Sequence, residues 1–367
     1  MIKQYYKQAL AQLRQHPLIS IIGIVGTALS IFLIMLVVMM QQVKVAPFSP
    51  ESNRNRFLHV HYMSISHKDW GNGTSNGPMS VQTAREVYKS LKTPEAVTVY
   101  CCMTVSTPVS LPGAPAIGAD VRETDDTFFH VFDFQFTDGK PYDEATFTAG
   151  RPVAVITESI SRALFGSIQS VGKEFLLSHA PYRVVGVVKD VSTLADMAYG
   201  QVWIPFTSTN LSNDTWSDNH MGMMSVTLLA HDREDFDEIR AEAKRRMNEY
   251  NSILADQGYT LIDRNRPYDQ ETQSISFAAN LEPDLKAARR ERVIIFIILL
   301  LVPAINLSSM TQSRLRQRVA EIGVRRAFGS TRIEMVGQIV MENLVITLLA
   351  GAIGLLISIL FAYWGTD

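Results

Sequence analysis

Three stretches of this chain carry no charged residue: Leu18 to Met40, Val293 to Ser313 and Leu344 to Trp364. Each is close to the roughly 20 residues a helix needs to cross the hydrocarbon core of a bilayer. A chain with three such runs must distribute everything else on the two sides of a membrane. The first run follows Lys3, Lys7 and Arg14, as in a secretory leader. Its apolar core is longer than the roughly 7–15 residues of a leader and no small-residue cleavage site follows, so it reads as an uncleaved anchor.

Between the second and third runs lies a basic segment. Residues 313 to 340 hold arginines 314, 316, 318, 325, 326 and 332 against Glu321 and Glu334. A Lys/Arg excess in a short loop marks the cytoplasmic side. Leu315, Val319 and Ile322 recur at helical spacing, with Arg314, Arg318, Glu321 and Arg325 on a neighbouring face, which predicts an amphipathic helix. Gly329 supplies a stop, and Thr331 with Glu334 fits a reciprocal cap that starts a new helix. The spacing therefore predicts a cytoplasmic helix and turn over 314–340, a basic amino-terminal helix over 1–17, and spans over 18–40, 293–313 and 344–364. Residues 41–292 then lie outside. Lys286, Arg289, Arg290 and Arg292 sit just outside the second span, but long translocated segments are largely exempt from the charge rule.

The 41–292 segment is long enough for a core of its own. Strand-like runs at Arg56–Tyr62, Val97–Val105, Pro152–Ile156, Tyr182–Val188, Gln201–Ile204 and Met224–Ala230 alternate with helical spacing at Val81–Leu91, Glu158–Phe165 and Asp235–Tyr250. The fold class is thus a membrane protein of α-helical spans with a large mixed α+β extracytoplasmic domain. Net charge is -2, which argues against nucleic acid as a partner. Cys101 and Cys102 are adjacent; in an extended strand they point to opposite faces, so two free thiols are expected. His59 and His61 share a face of their strand and, with His67 or Asp69, could approach a metal; surface or interface histidines without metal are the plainer reading. Gly166 to Glu174 has its glycines one residue too far apart for a phosphate loop, and Glu174 stands where a magnesium-holding hydroxyl belongs. No spacing supplies a nucleophile, acid and base, so an enzyme is not expected and no catalytic, metal or cofactor-binding residue is assigned.

Asn306, Ser313-Arg314, Arg318, Glu321 to Ala327, Gly329 to Arg332, Gln338 and Glu342-Asn343 together resemble the core of the MacB/FtsX family of ABC-transporter permeases. Phe132 to Lys140, Pro152 to Glu158, Leu164 to Gly166, Val171 to Lys173, Tyr182 to Asp190 and Trp203 to Pro205 resemble that family's periplasmic core domain. The resemblance implies a non-catalytic subunit of the mechanotransmission type in the inner membrane, driven by a separate cytoplasmic ABC ATPase that binds the ATP and magnesium. It implies a second permease copy, as a homodimer, or a related permease, and leaves a periplasmic or outer-membrane partner open. It makes the segment after the second span a coupling helix, with Arg314, Arg318, Glu321, Ile322, Gly323, Arg325, Arg326 and Gly329 at the ATPase contact; phospholipid contact and topology are the alternative use of the arginines. It divides the outer domain into a porter-like part (53–110 and 220–280) and an inserted part (112–210). Family permeases carry a fourth span, so the chain is expected to stop before one.

Within the spans, Gly26 with Ser30 and Ala350 with Gly354 offer close helix approach. Pro303 kinks the second span, and Asn306 brings a polar group that needs a neighbouring helix. Two functions fit the whole: export by an ABC system, or an FtsX-like relay of ATPase motion to a periplasmic partner without transport.

Overall fold

The computed structural model describes residues 17–210 and 213–365, so the basic helix expected over residues 1–17 lies, apart from Pro17, outside them. The chain forms two compact units, Val43–Asp284 and a helical unit made by the segments on either side. Helix α1 (Pro17–Val45) opens the chain, its Ser30 hydroxyl bonded back to the Gly26 carbonyl at 2.8 Å. A mid-helix serine in an apolar run can satisfy its hydroxyl in this way.

The outer unit begins with β1 (Phe57–Val60), β2 (Met63–His67) and β3 (Thr74–Gly77). The helix expected over Val81–Leu91 starts as α2 (Val81–Ala84), capped by the Ser80 hydroxyl, then widens into a π-helical turn over Arg85–Lys89 that buries Val87 and Tyr88. The strand expected across Val97–Val105 is divided into β4 (Ala96–Cys101) and β5 (Val105–Ser110), because the chain bends at Cys102–Met103. There follow β6 (Ile117–Thr124), α3 (Phe128–Val131), β7 (Phe136–Gly139), α4 (Glu144–Thr148), β8 (Val153–Thr157), α5 (Glu158–Phe165), β9 (Glu174–Leu177), β10 (Ala180–Val188) and β11 (Val202–Pro205). Helix α5 occupies the residues its spacing predicts: Thr157 accepts from the Ile160 amide at its start, and Gly166 ends it at φ +69°. The unit closes with β12 (Met224–Leu229), α6 (Phe236–Leu254), β13 (Tyr259–Ile262), β14 (Tyr268–Asp269) and α7 (Gln270–Gln273).

Strand pairing shows how these pieces cohere. Strands β11, β8, β10, β9, β5 and β6 pair in that order, and β6 pairs again with β11, so six strands close into a ring. Val109, Val121, Ile156, Val184, Val202 and Ile204 belong to one apolar cluster drawn from these strands. Strand β5 pairs with β6 and β9, so it belongs with the ring rather than with the 53–110 segment that its chain position suggests. Beyond the ring the sheet continues through β4, β12, β1 and β14, joined by a single pair, Tyr100 opposite Thr124. A second sheet runs β13–β2–β3. Helix α6 buries Phe236, Ile239, Ala243, Met247, Tyr250 and Leu254 at three- and four-residue spacing, in the same cluster as Leu58, Val60, Val226 and Leu228.

After the outer unit come α8 (Leu285–Gln317), α9 (Val319–Ala327) and α10 (Arg332–Gly365). Helices α1, α8 and α10 are the three among the described residues that are long and apolar enough to cross a membrane. They outrun the uncharged runs: Lys286 to Arg292 form the first turns of α8, and α8 continues to Gln317. Arg314, expected on the short linker helix, is therefore part of α8, because no breaker separates it from the apolar run. The chain leaves helical geometry only at Arg318, with φ -112° and ψ 14°. Helix α8 passes through Pro303, and three residues on Asn306 donates to the Thr27 hydroxyl of α1 at 3.3 Å. The intramembrane amide thus finds its partner on a neighbouring helix.

Candidate partner-docking site

The break at Arg318 turns its side chain into a junction. Its guanidinium donates to both Glu321 oxygens at 2.8 and 3.1 Å, and to both oxygens of Glu342 on α10 at 3.3 Å. Arg325, one turn beyond Glu321, pairs with it at 2.7 Å and donates to the Gln338 carbonyl oxygen at 2.8 Å. Gln338 in turn donates to Glu342 at 2.9 Å. Five side chains thus make a closed circuit from α9 to α10. Glu342 is only 5 % exposed and Gln338 is also buried, so the circuit ties partly exposed charges of α9 to a buried patch of α10. The hydrogen bonds from Arg318 hold the Glu321 carboxyl below its ordinary pKa, and the reciprocal bond raises that of Arg318. A groove of about 290 Å³ beside the circuit is lined by Ile322, Arg326, Arg332 and Met335 among others.

The rest of the linker is open. Val319 and Val324 on α9 are exposed, and so are Phe328 just after it, at 88 %, and Ile333 at the start of α10, at 84 %. A Cβ added at Gly323 would meet nothing within 4 Å. Gly329 holds φ +93°, a turn that only glycine takes without strain, and α10 then starts with Thr331 and Glu334 exchanging hydrogen bonds of 2.9 and 3.3 Å. The side chain of Arg314 is outside the description. Sequence spacing pointed to Arg318, Glu321 and Arg325 but missed Phe328, and it did not reveal that Gln338 and Glu342 close the circuit. The signals for the last two were their i, i+4 spacing and their place among the residues that carry the family resemblance.

The histidines of the outer unit make no comparable site. His59 lies within hydrogen-bond distance of Thr227 (3.2 Å) and Gln270 (2.9 Å), and His67 sits at 3.2 Å from the Gln257 carbonyl. Among the described residues no three His, Cys, Asp or Glu side chains gather into a metal-holding group. Burial keeps His59 and His61 neutral: it lowers the pKa of His61 to about 4, and that of His59 well below the usual value, with neighbouring His61 adding to the effect. Unfolding restores both to about 6.5, so the unfolded chain takes up protons first and stability is lost as pH falls from 6.5 towards 4. His61 alone is expected to contribute a loss on the order of 3 kcal/mol by pH 4. Urea unfolding at pH 7.5 and 5, followed by tryptophan fluorescence, checks this; His61→Gln should flatten the pH dependence.

Residues 18–246 match the family model of the MacB-like periplasmic core domain, and residues 293–365 that of the FtsX-like permease C-terminal region. The chain belongs to the MacB/FtsX family of permeases. Similar members of this family include the ABC transporter permease YknZ of Bacillus subtilis (strain 168), 22 % identical over 244 residues, 65 % of this chain and 55 % of that protein. Another is the macrolide export ATP-binding/permease protein MacB of Burkholderia cenocepacia (strain HI2424), 24 % identical over 244 residues, 66 % of this chain and 33 % of that one. The chain thus spans about half, or a third, of the length of these curated relatives. The crystal structure of the periplasmic region of MacB from Actinobacillus actinomycetemcomitans aligns over 55 % of this chain and 88 % of that one at 19 % identity, with a TM-score of 0.38, a likeness too loose to add to the case. As a MacB/FtsX-type permease the chain combines a mixed α/β outer domain with apolar helices.

Proposed function

We propose that this chain is the non-catalytic permease subunit of an ABC system, and that helix α9 is the element on which a separate cytoplasmic ATPase acts. The ATPase would supply ATP and magnesium. The reading rests most on the linker between α8 and α10: α9 is tied to α10 through Arg318, Glu321, Arg325, Gln338 and Glu342, while Phe328, just after α9, and Ile333, at the start of α10, stand exposed. A helix so tied can pass a push from a docked partner to the helix that follows it. In this reading the 314–340 segment faces the cytoplasm, Val43–Asp284 faces the periplasm, and a second permease copy completes the assembly in the inner membrane. The porter-like and inserted parts of the outer domain remain part of the same proposal, with β5 grouped in the inserted part.

The test is purification of the full-length permease from membranes in mild detergent, with the copurifying proteins identified. Wild type is expected to bring down a nucleotide-binding protein, and Phe328→Ser with Ile333→Ser to lose it while remaining folded. Neither side chain supports the fold, so the loss is assignable to the docking face. Recovery of no ATPase by folded wild type would leave the arginines to topology and phospholipid contact. Export and signal relay share this architecture, and the extracytoplasmic protein recovered with wild type separates them.

A further inference from the structure

The outer domain holds a cavity of about 360 Å³ that the permease reading does not use. It is walled by the end of α1, the His61–Tyr62 link between β1 and β2, the 194–197 loop and the segment from Gln270 to Phe277. Part of this lining is already engaged. Glu51 and Arg54 are paired at 2.6 Å, and Gln270 is shared between His59 and the Lys44 carbonyl, at 2.9 and 2.8 Å. The rest is not. The His61 Nε2 is buried and has no hydrogen-bond partner among the described residues. Gln273 is only 8 % exposed, and its carboxamide likewise has none among them; the same holds for the hydroxyls of Tyr62 and Ser276. Buried polar groups are seldom left without partners, so two of them lining one cavity, with hydroxyls beside them, point to a ligand.

We infer that this cavity binds a neutral sugar, one pyranose ring in size. The volume stands near the low end of the roughly 300–1,000 Å³ of ligand pockets, which suits a small molecule. The charges of the lining cancel: Glu51 pairs with Arg54, Lys44 is matched by Asp196, and burial keeps His61 neutral. A phosphate-like anion would find no excess of positive charge there, and an organic cation no excess of negative charge. What the walls do offer is hydrogen bonding in both directions. A carboxamide and a hydroxyl each donate and accept, and the imidazole adds its free nitrogen. A pyranose carries hydroxyls around its rim to meet such groups, and a CH-lined face that an aromatic ring can cover. Phe277, which lines the same cavity and is 83 % exposed, supplies that ring. The site belongs to the outer domain alone and does not depend on the ATPase contact.

The full-length chain is purified in a polyoxyethylene detergent, since sugar-headed detergents would compete, and is titrated with glucose, galactose and N-acetylglucosamine by saturation-transfer difference NMR. At least one of these is expected to bind with a Kd on the order of 1 mM or tighter. Gln273→Leu, which keeps the size of the side chain but not its hydrogen bonds, is expected to weaken binding about tenfold. Phe277→Ala is expected to weaken it about fivefold. A buried substitution such as Gln273→Leu can disturb the fold, whereas Phe277 is too exposed to support the core, so its variant keeps the test decisive. Failure of all three sugars to bind wild type, tighter binding of phosphorylated glucose than of glucose, or an unchanged affinity in the Phe277 variant would each overturn the assignment.

Discussion

Replacing Glu51 by Gln is expected to lower the stability of the outer domain by about 3–5 kcal/mol, the largest loss anticipated for any single side chain there. Glu51 is fully buried and pairs with Arg54, itself 3 % exposed, at 2.6 Å. Its second oxygen accepts from the amides of Met197 and Ala198 at 2.9 and 3.0 Å. Arg54 spends its remaining donors on the carbonyls of Val43, Ala46 and Leu194, and lies over the Phe48 ring at 4.2 Å. The pair therefore fastens the 43–56 segment to the 194–198 loop, far away in sequence. The amide keeps the shape of the carboxylate but not its charge, which leaves the guanidinium buried without a counterion. The midpoint of urea unfolding measures the loss. Arg246→Ala, which breaks an exposed pair with Glu249 at 3.0 Å, should stay within about 0.5 kcal/mol and serves as the reference. If the two variants unfold alike, the buried pair has no such role.

Gly354→Val should be the most damaging change in the helical unit. A Cβ on Gly354 would lie 2.7 Å from the Ala28 carbonyl oxygen and 3.1 Å from the Ile31 Cβ. Backbone cannot swing aside as a side-chain tip can, so α1 and α10 must separate and lose the close contact that small residues provide between membrane helices. An overpacking cost of about 3 kcal/mol is expected. The contrast lies one turn away: at Gly351 the nearest atom is the tip of Ile31 at 3.7 Å, an ordinary contact, so Gly351→Val should be mild. Thermal aggregation of both variants in the same detergent separates the two, and equal midpoints would show that α1 and α10 are not held by this approach.

Which features were readable in advance follows from how local their causes are. The membrane helices announce themselves because an uncharged run needs no partner to be recognised, and α5 is bounded by its own cap and its own glycine. Strand pairing is not local. Nothing in Val105–Ser110 says that β5 closes a ring with β6 and β9. The bend at Cys102 is invisible for the same reason, since it lies where the ladder of β4 with β12 ends. At the linker, the charges of α9 were plain in the sequence, but the break at Arg318 depends on Glu342, a buried carboxylate whose importance is set by a contact 24 residues away.

The six-strand circuit has a consequence for how other proteins can bind. Backbone groups already paired on both sides of a strand cannot accept another, so recognition by strand addition is excluded wherever the ring is paired on both sides; the stretch of β10 beyond β9 is already taken by β7. Where the outer domain does take in an extended segment of another protein, the available templates are the terminal strands β14, β3 and β13, together with β7, which pairs only with β10. A partner of the ring itself must read side chains and loops, and its specificity is then free to diverge by surface substitution without touching the backbone that holds the ring shut.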